Sequence, residues 1–301
     1  LVTKAVLPPT NKKKPNDTSN PATRKRKKRS RHQAKEKSRN KRTRRRERIR
    51  RQRMRRIAIS LSKGGVGKTT TAVNIAAGLA RAGYSVLLID TDTQGQSGRA
   101  LGVIPEVGLA ELISEEATSE EAIQEVRERL YLLAGGRSLA GLKRLIDRKD
   151  FRGERTLADG LASLDSKYDY IILDTAPGWD SLTVNVLFYA TEILAPVSME
   201  VLTLTGLLYF QEYIAAIQEY RPELEIRYIL PTFYDRRVKK SEEIMTQLQA
   251  AYQDRLCSPI RYSVRLSEAP GYGQSIYEYA PGTSGAEDYQ ELVERIVRDG
   301  R

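Results

Sequence analysis

Cysteine and histidine each occur once in this 301-residue chain, as Cys257 and His32. A single thiol excludes an intrachain disulfide framework and a Cys-x-x-Cys metal or cluster site. Cys257 reads as a small buried hydrophobe. With its one imidazole near the N-terminus, the body of the chain has neither Ser–His chemistry nor a histidine metal site. No apolar run reaches the ~18 residues that a membrane-spanning helix needs. No secretory signal is recognisable ahead of the body, so a cytoplasmic protein is expected.

Acidic residues are scarce at one end only. The chain carries a net charge of +13. Residues 1–53 hold 23 Lys and Arg against 3 Asp and Glu, a net of +20; the other 28 basic and 35 acidic residues give the body a net of −7. The chain therefore divides into a basic extension, 1–53, and a mildly acidic globular part, 54–301. The extension includes Arg24-Lys25-Arg26-Lys27-Lys28-Arg29 and Arg44-Arg45-Arg46, with too few apolar residues for a core, so disorder is expected over most of it. Lys41–Arg53 has the composition of a frayed helix. Three readings stay open: an arm that binds nucleic-acid phosphates without reading sequence, a solvated extension of minor function, or a segment foreign to the native protein, since the first methionine is Met54.

The stretch that organises the body is Lys63-Gly64-Gly65-Val66-Gly67-Lys68-Thr69-Thr70, after the apolar run Ile57-Ala58-Ile59 and before the helix-like run from Thr71 to Ala77. Strand, glycine-rich loop and helix are the context of a phosphate-binding loop. The glycines let backbone N–H groups close around phosphate oxygens. Lys68 is expected on the β- and γ-phosphates and the Thr69 hydroxyl on Mg²⁺. A chance glycine-rich turn would not carry Gly-Lys-Thr in this context. The loop departs from the usual form, with Ser62 where a glycine is common and a second lysine, Lys63, at its opening.

Strand and helix then alternate. The expected strands are Arg56–Leu61, Val86–Asp90, a short one near Leu130–Leu133, Tyr170–Asp174, Ile193–Val197, Ile226–Leu230 and Pro259–Tyr262. Val86–Asp90 and Tyr170–Asp174 are continuous apolar runs ending in aspartate, the mark of strands buried on both faces of a parallel sheet. Helices are expected up to about Ala82, where Gly83 stops the first one, through the Glu-rich stretch 106–130, and over Leu139–Leu145, Leu157–Leu164, Thr205–Tyr220, Ser241–Tyr252 and Ala286–Arg298. This alternation predicts a doubly wound α/β fold with a mostly parallel sheet and helices on both faces.

Phosphoryl transfer needs a cation clamp, a carboxylate for Mg²⁺ and a group that places the attacking water. The loop 63–70, Asp90-Thr91-Asp92-Thr93-Gln94-Gly95-Gln96 and Asp174-Thr175-Ala176-Pro177-Gly178 stand at strand ends and are expected to meet. Asp174 fits the Mg²⁺ role, Asp92 water positioning and Asp90 the outer Mg²⁺ shell. Taken singly, each aspartate is more ordinarily a helix cap or turn former.

With its early lysine the loop resembles the deviant Walker A motif of the ParA/MinD family of ATPases. Asp90–Gln96 is similar to the family's Asp-x-Asp-Pro-Gln-Gly-Asn, with Thr93 and Gln96 departing from it. Ser181-Leu182-Thr183-Val184-Asn185 with Ala195-Pro196-Val197, Leu230–Arg237, Val264-Arg265-Leu266-Ser267-Glu268-Ala269-Pro270 and Tyr279–Ala286 continue the resemblance over about 54–298. The block at 264–270 favours ParA over MinD. The resemblance implies a P-loop ATPase that uses ATP and Mg²⁺, dimerises around two nucleotides, and then binds DNA without sequence preference to segregate plasmid or chromosomal DNA. It implies a ParB-type partner that stimulates hydrolysis and release, and a nucleoid-associated location. It implies that Lys63 reaches the partner subunit's nucleotide, that adenine lies between the loops around Pro231 and Pro270, and that Arg236, Arg237, Lys239, Lys240 and Arg265 are candidate DNA contacts, otherwise a solvated charged loop. A MinD-like membrane ATPase would need an amphipathic anchor helix beyond the last core helix, and the sequence stops at Arg301, soon after Ile296-Val297, so no membrane partner is expected. A DNA-compacting protein acting through its basic extension is the reading of a different class.

Overall fold

The computed structural model describes residues 54–300; residues 1–53, with their candidate nucleic-acid arm and frayed helix, and Arg301 lie outside the described residues. The strands are β1 (Arg55–Ile59), β2 (Val86–Asp90), β3 (Ile123–Arg127), β4 (Leu130–Leu133), β5 (Tyr170–Asp174), β6 (Glu192–Ser198) and β7 (Glu225–Thr232). They form one sheet in the order β3-β4-β2-β5-β1-β6-β7. Every pairing is parallel except that of β3 with β4. The longer helices are α1 (Lys68–Arg81), α2 (Leu139–Asp147), α3 (Ser181–Tyr189), α4 (Val201–Gln218), α5 (Lys239–Tyr252) and α6 (Ser284–Asp299).

Parallel strands covered on both faces must be apolar throughout. Every residue of β2 and β5 is accordingly buried, including the terminal aspartates. Alternate strand residues serve opposite cores. Ala58, Leu87, Ile89, Ile171 and Leu173 face Leu142, Val186, Leu207, Phe210 and Leu248 on one side. Ile57, Ile59, Leu88 and Ile172 face Ile75, Leu79, Tyr289, Leu292 and Ile296 on the other. The result is the expected doubly wound sandwich.

The first helix stops where Gly83 allows it. Gly83 takes φ +92°, and its N–H donates to Ala80 O at 2.9 Å while Tyr84 N–H donates to Leu79 O at 3.2 Å, the paired bonds of a Schellman stop.

Three expectations are corrected. The stretch 106–130 is not wholly helical, since Ile123–Arg127 forms the antiparallel edge strand β3. Its Ile-Gln-Glu-Val-Arg sequence is an alternating, half-exposed edge pattern that glutamate content disguises as helix. Pro259–Tyr262 runs beside β7 but is no strand. Ile260 N–H reaches Pro231 O and Tyr262 N–H reaches Tyr234 O, but Pro259 has no N–H to give and only an isolated bridge, Tyr234 to Arg261, forms within that stretch. Helix α4 begins at Val201, four residues before the expected Thr205.

Candidate nucleotide-binding site

The sheet register brings the expected residues to one edge. In the β2–β5 pairing Asp90 stands opposite Asp174, and in the β1–β5 pairing Ile59 stands opposite Asp174. The phosphate loop leaves β1 beside these two carboxylates. Three cross-links hold the strand ends. Thr175 Oγ1 donates to Ile59 O at 2.9 Å, Thr91 Oγ1 donates to Asp174 O at 2.7 Å, and Gly178 N–H donates to Ser62 O at 3.0 Å.

Within the loop, Gly65 and Gly67 take φ +72° and +87°, a region open to glycine and costly to residues with a Cβ. Val66 is buried, and its carbonyl accepts from Thr232 Oγ1 at 3.0 Å. Lys68 opens α1 and is buried, with its Nζ donating to Lys63 O at 2.8 Å and to Leu61 O at 3.2 Å. Burial lowers the Lys68 pKa, against the nearby Asp174 and Asp92 charges. The Lys63 side chain leaves in another direction. Its Nζ lies 2.6 Å from Glu200 Oε2 and donates to Thr203 Oγ1 at 2.8 Å.

The carboxylates divide by their partners. Asp90 spends both oxygens on the backbone, accepting from Asp92 N–H and from Ser97 N–H, each at 2.9 Å. It shapes the 91–97 turn. Asp92 is half-buried and accepts from Gln94 N–H at 3.0 Å through Oδ1. Asp174 accepts from Ser97 Oγ at 2.8 Å through Oδ2; its Oδ1 is buried without a hydrogen-bond partner. Burial pushes the pKa of Asp90 well above the carboxylate range, and the Asp174 charge adds to this. Burial likewise pushes Asp174 up, against the nearby hydroxyls of Ser97 and Thr69. A buried, unpartnered carboxylate oxygen is costly unless a cation meets it. Asp174 Oδ1 and the hydroxyl of Thr69, next to Lys68, are the hard oxygen donors that suit Mg²⁺. No group of three or more His, Cys, Asp or Glu side chains is placed to hold a metal among the described residues. An ion there would draw its other ligands from phosphate and water, as Mg²⁺ commonly does.

Two residues at the site carried no motif signal. Ser97 joins Asp90 to Asp174 from the position just beyond the second motif. Gly135 packs so tightly under the second motif that a Cβ would stand 2.7 Å from Asp90 O and 2.8 Å from Asp92 O.

The residues just after Pro231 and those of the 264–270 segment share one cavity, which neither proline lines. This cavity, of about 230 Å³ beside Gly67 and Thr70, is lined by Thr232, Phe233, Ile260, Tyr262 and Leu266. Pro231 itself is buried in β7. Pro270 lines a second cavity, of about 300 Å³, with Thr69, Asn74, Gln96 and Arg99. The candidate DNA-binding cations are all exposed. Arg237 pairs with Asp235, Lys239 with Glu243 and Arg265 with Glu268. Arg236 and Lys240 form no ion pair with a described residue.

Residues 54–226 match a family model described as an AAA domain. The chain is 36% identical over 241 residues to the chromosome-partitioning ATPase Soj of Thermus thermophilus, covering 78% of this chain and 92% of that protein. It is 33% identical over 244 residues to the sporulation initiation inhibitor protein Soj of Bacillus subtilis, covering 79% and 96%. The crystal structure of cobyrinic acid a,c-diamide synthase from Mycobacterium smegmatis, with bound ADP and magnesium, matches with a TM-score of 0.71 at 29% identity, covering 81% and 94%.

Proposed function

The chain belongs to the ParA/Soj family of partitioning ATPases, and from that premise we propose that it segregates DNA by an ATP-controlled cycle of dimerisation and non-specific DNA binding. The observation that carries the reading is Lys68, on a phosphate-loop turn, beside the unpartnered buried oxygen of Asp174.

The residues divide the work as follows. Backbone N–H groups from Gly64 to Thr70 cradle phosphate oxygens, and Lys68 neutralises their charge. Thr69 and Asp174 hold Mg²⁺, with Asp90 behind them in the outer shell. When bound, the ion neutralises charge on the phosphoryl oxygens in the transition state. Asp92, half-exposed at the mouth of the site, orients the attacking water. The base fits the cavity beside Gly67, under Phe233 and Tyr262. Lys63 serves the partner subunit's nucleotide. Among the candidate DNA contacts Arg236 and Lys240 are the strongest, because a cation already paired with a local carboxylate gains less from a phosphate. An acidic body binds DNA if its cations cluster on one face of the dimer. A ParB-type partner stimulates hydrolysis on the nucleoid.

The test is DNA binding with ATP, with ADP and without nucleotide, in the full chain and in a chain lacking residues 1–53. The proposal expects ATP-dependent binding to survive the truncation. Loss of all binding on truncation would assign DNA binding to the basic extension instead. Asp92→Ala is expected to bind ATP and dimerise but not to hydrolyse. Hydrolysis at the wild-type rate would remove Asp92 from its role.

A further inference from the structure

Lys63 is held by two acceptors of different kinds, both at the start of α4. Glu200 Oε2 lies 2.6 Å from its Nζ, on a side chain that is 66% exposed. Thr203 Oγ1 lies 2.8 Å from it, in a fully buried residue that also bonds Ser198 Oγ at 2.8 Å. Glu200 occupies the N-cap position of α4, but its side chain caps no helix N–H and goes to Lys63 instead. A helix N-terminus stabilises a carboxylate and disfavours a cation. Glu200 therefore keeps a favourable place whether or not Lys63 stays, and releasing Lys63 costs the ion pair together with its bond to Thr203, whose hydroxyl keeps Ser198 as a partner.

We infer that Glu200 is a positioning residue for Lys63, holding the ammonium within its own subunit and thereby setting the ATP-dependent threshold at which two copies of the chain associate. The inference rests on the cross-subunit reading of Lys63. A lysine paired inside its subunit is not free to cross the interface, so the apparent affinity falls by the fraction of molecules in which it is free. An exposed ion pair holds its lysine back by about two- to fivefold. A symmetric dimer must release two lysines, so the effect on the dimer dissociation constant is the square, about 4- to 25-fold.

The experiment compares the full-length wild type, Glu200→Gln, Lys63→Ala and the double variant. Glu200 is exposed, and glutamine preserves its length, so folding is not at stake. Two quantities are read. One is the rate at which a succinimidyl ester acylates Lys63, relative to Lys68, located by peptide mass spectrometry without nucleotide. The other is the dimer dissociation constant by sedimentation with Mg²⁺ and a non-hydrolysable ATP analogue. Glu200→Gln is expected to speed Lys63 acylation about two- to fivefold and to tighten the dimer about 4- to 25-fold. The double variant is expected to match Lys63→Ala. Unchanged or weaker association of Glu200→Gln, with Lys63→Ala unable to associate, overturns the positioning role alone. So does a Glu200 effect that persists in the Lys63→Ala background. Association of Lys63→Ala like wild type overturns the cross-subunit reading beneath it.

Discussion

Lys68 donates its ammonium to the main-chain carbonyl of Lys63 at 2.8 Å, while the ammonium of Lys63 itself turns away to Glu200. The two lysines of the loop are thus separated in direction although five positions apart in sequence. One is buried among loop carbonyls and carboxylates; the other stands at the opening, 27% exposed. The separation predicts a split phenotype. Lys68→Ala should lose nucleotide binding itself. Lys63→Ala should keep monomeric ATP binding within about twofold and lose ATP-dependent dimerisation, because an ionic contact in a water-poor interface is stronger than in bulk water. Light scattering with ATP and Mg²⁺, alongside nucleotide titration, checks both halves.

Ser97 is a second point of leverage. Its hydroxyl fixes the orientation of Asp174 and its N–H fixes Asp90. Ser97→Ala removes only the first. Partners behind a metal ligand typically change metal affinity by about 10- to 100-fold. Ser97→Ala is expected to raise the Mg²⁺ concentration needed for ATP hydrolysis by about that factor while leaving Mg²⁺-free nucleotide binding in place. An unchanged Mg²⁺ requirement would make the hydroxyl incidental.

What the sequence made legible was local in character. Val86–Asp90 and Tyr170–Asp174 announce buried strands because both strand faces are covered, and Gly65 and Gly67 announce a loop because their positive φ values are costly to residues with a Cβ. What stayed hidden is long-range. The Lys63–Glu200 contact spans 137 residues and the Ser97–Asp174 bond 77; no periodicity encodes either. Gly135 looks like any loop glycine until the backbone of Asp90 and Asp92 is laid against it. The edge strand Ile123–Arg127 was disguised for the opposite reason. It is locally ambiguous, and only its pairing with β4 decides it.

Trp179 ties the Asp174 loop to α4. Its ring stacks on Tyr213, centroids 4.2 Å apart at 18°, and on Phe210 at 5.3 Å and 26°. Any movement of the 174–178 loop on γ-phosphate binding must therefore alter the stack. The fluorescence of the sole tryptophan is expected to differ between ATP- and ADP-saturated protein. In Tyr213→Ala, where the ring gains solvent on one face, emission should shift to the red and the nucleotide response should shrink. Identical spectra in the two nucleotides would count against a moving loop.

The buried pair Asp90 and Asp174 predicts an inverted dependence of stability on pH. Burial raises both carboxyls above the carboxylate range, so in this window the folded protein binds protons that the unfolded chain has released. Stability then falls as pH rises, starting above the ordinary carboxylate pKa of about 4. Each pH unit in the window removes up to about 1.4 kcal/mol for each proton held only by the folded state, or roughly 3–6 °C in Tm for a chain of this size. Carboxylates held low by partners, such as Asp235 beside Arg237, act the other way but only at more acid pH. The lowered pKa of Lys68 acts with the sign opposite to that of the pair, since the folded state releases that proton before the unfolded chain does. Melting curves between pH 5.5 and 8 without divalent cations should therefore slope downward. Asp174→Asn should reduce the slope, because it removes one of the two titrating carboxyls and its charge beside Asp90, while its amide oxygen can still accept from Ser97. Mg²⁺ with nucleotide should flatten it as well, since a cation favours the ionised pair. A slope that survives both treatments undiminished would place the titration elsewhere in the chain.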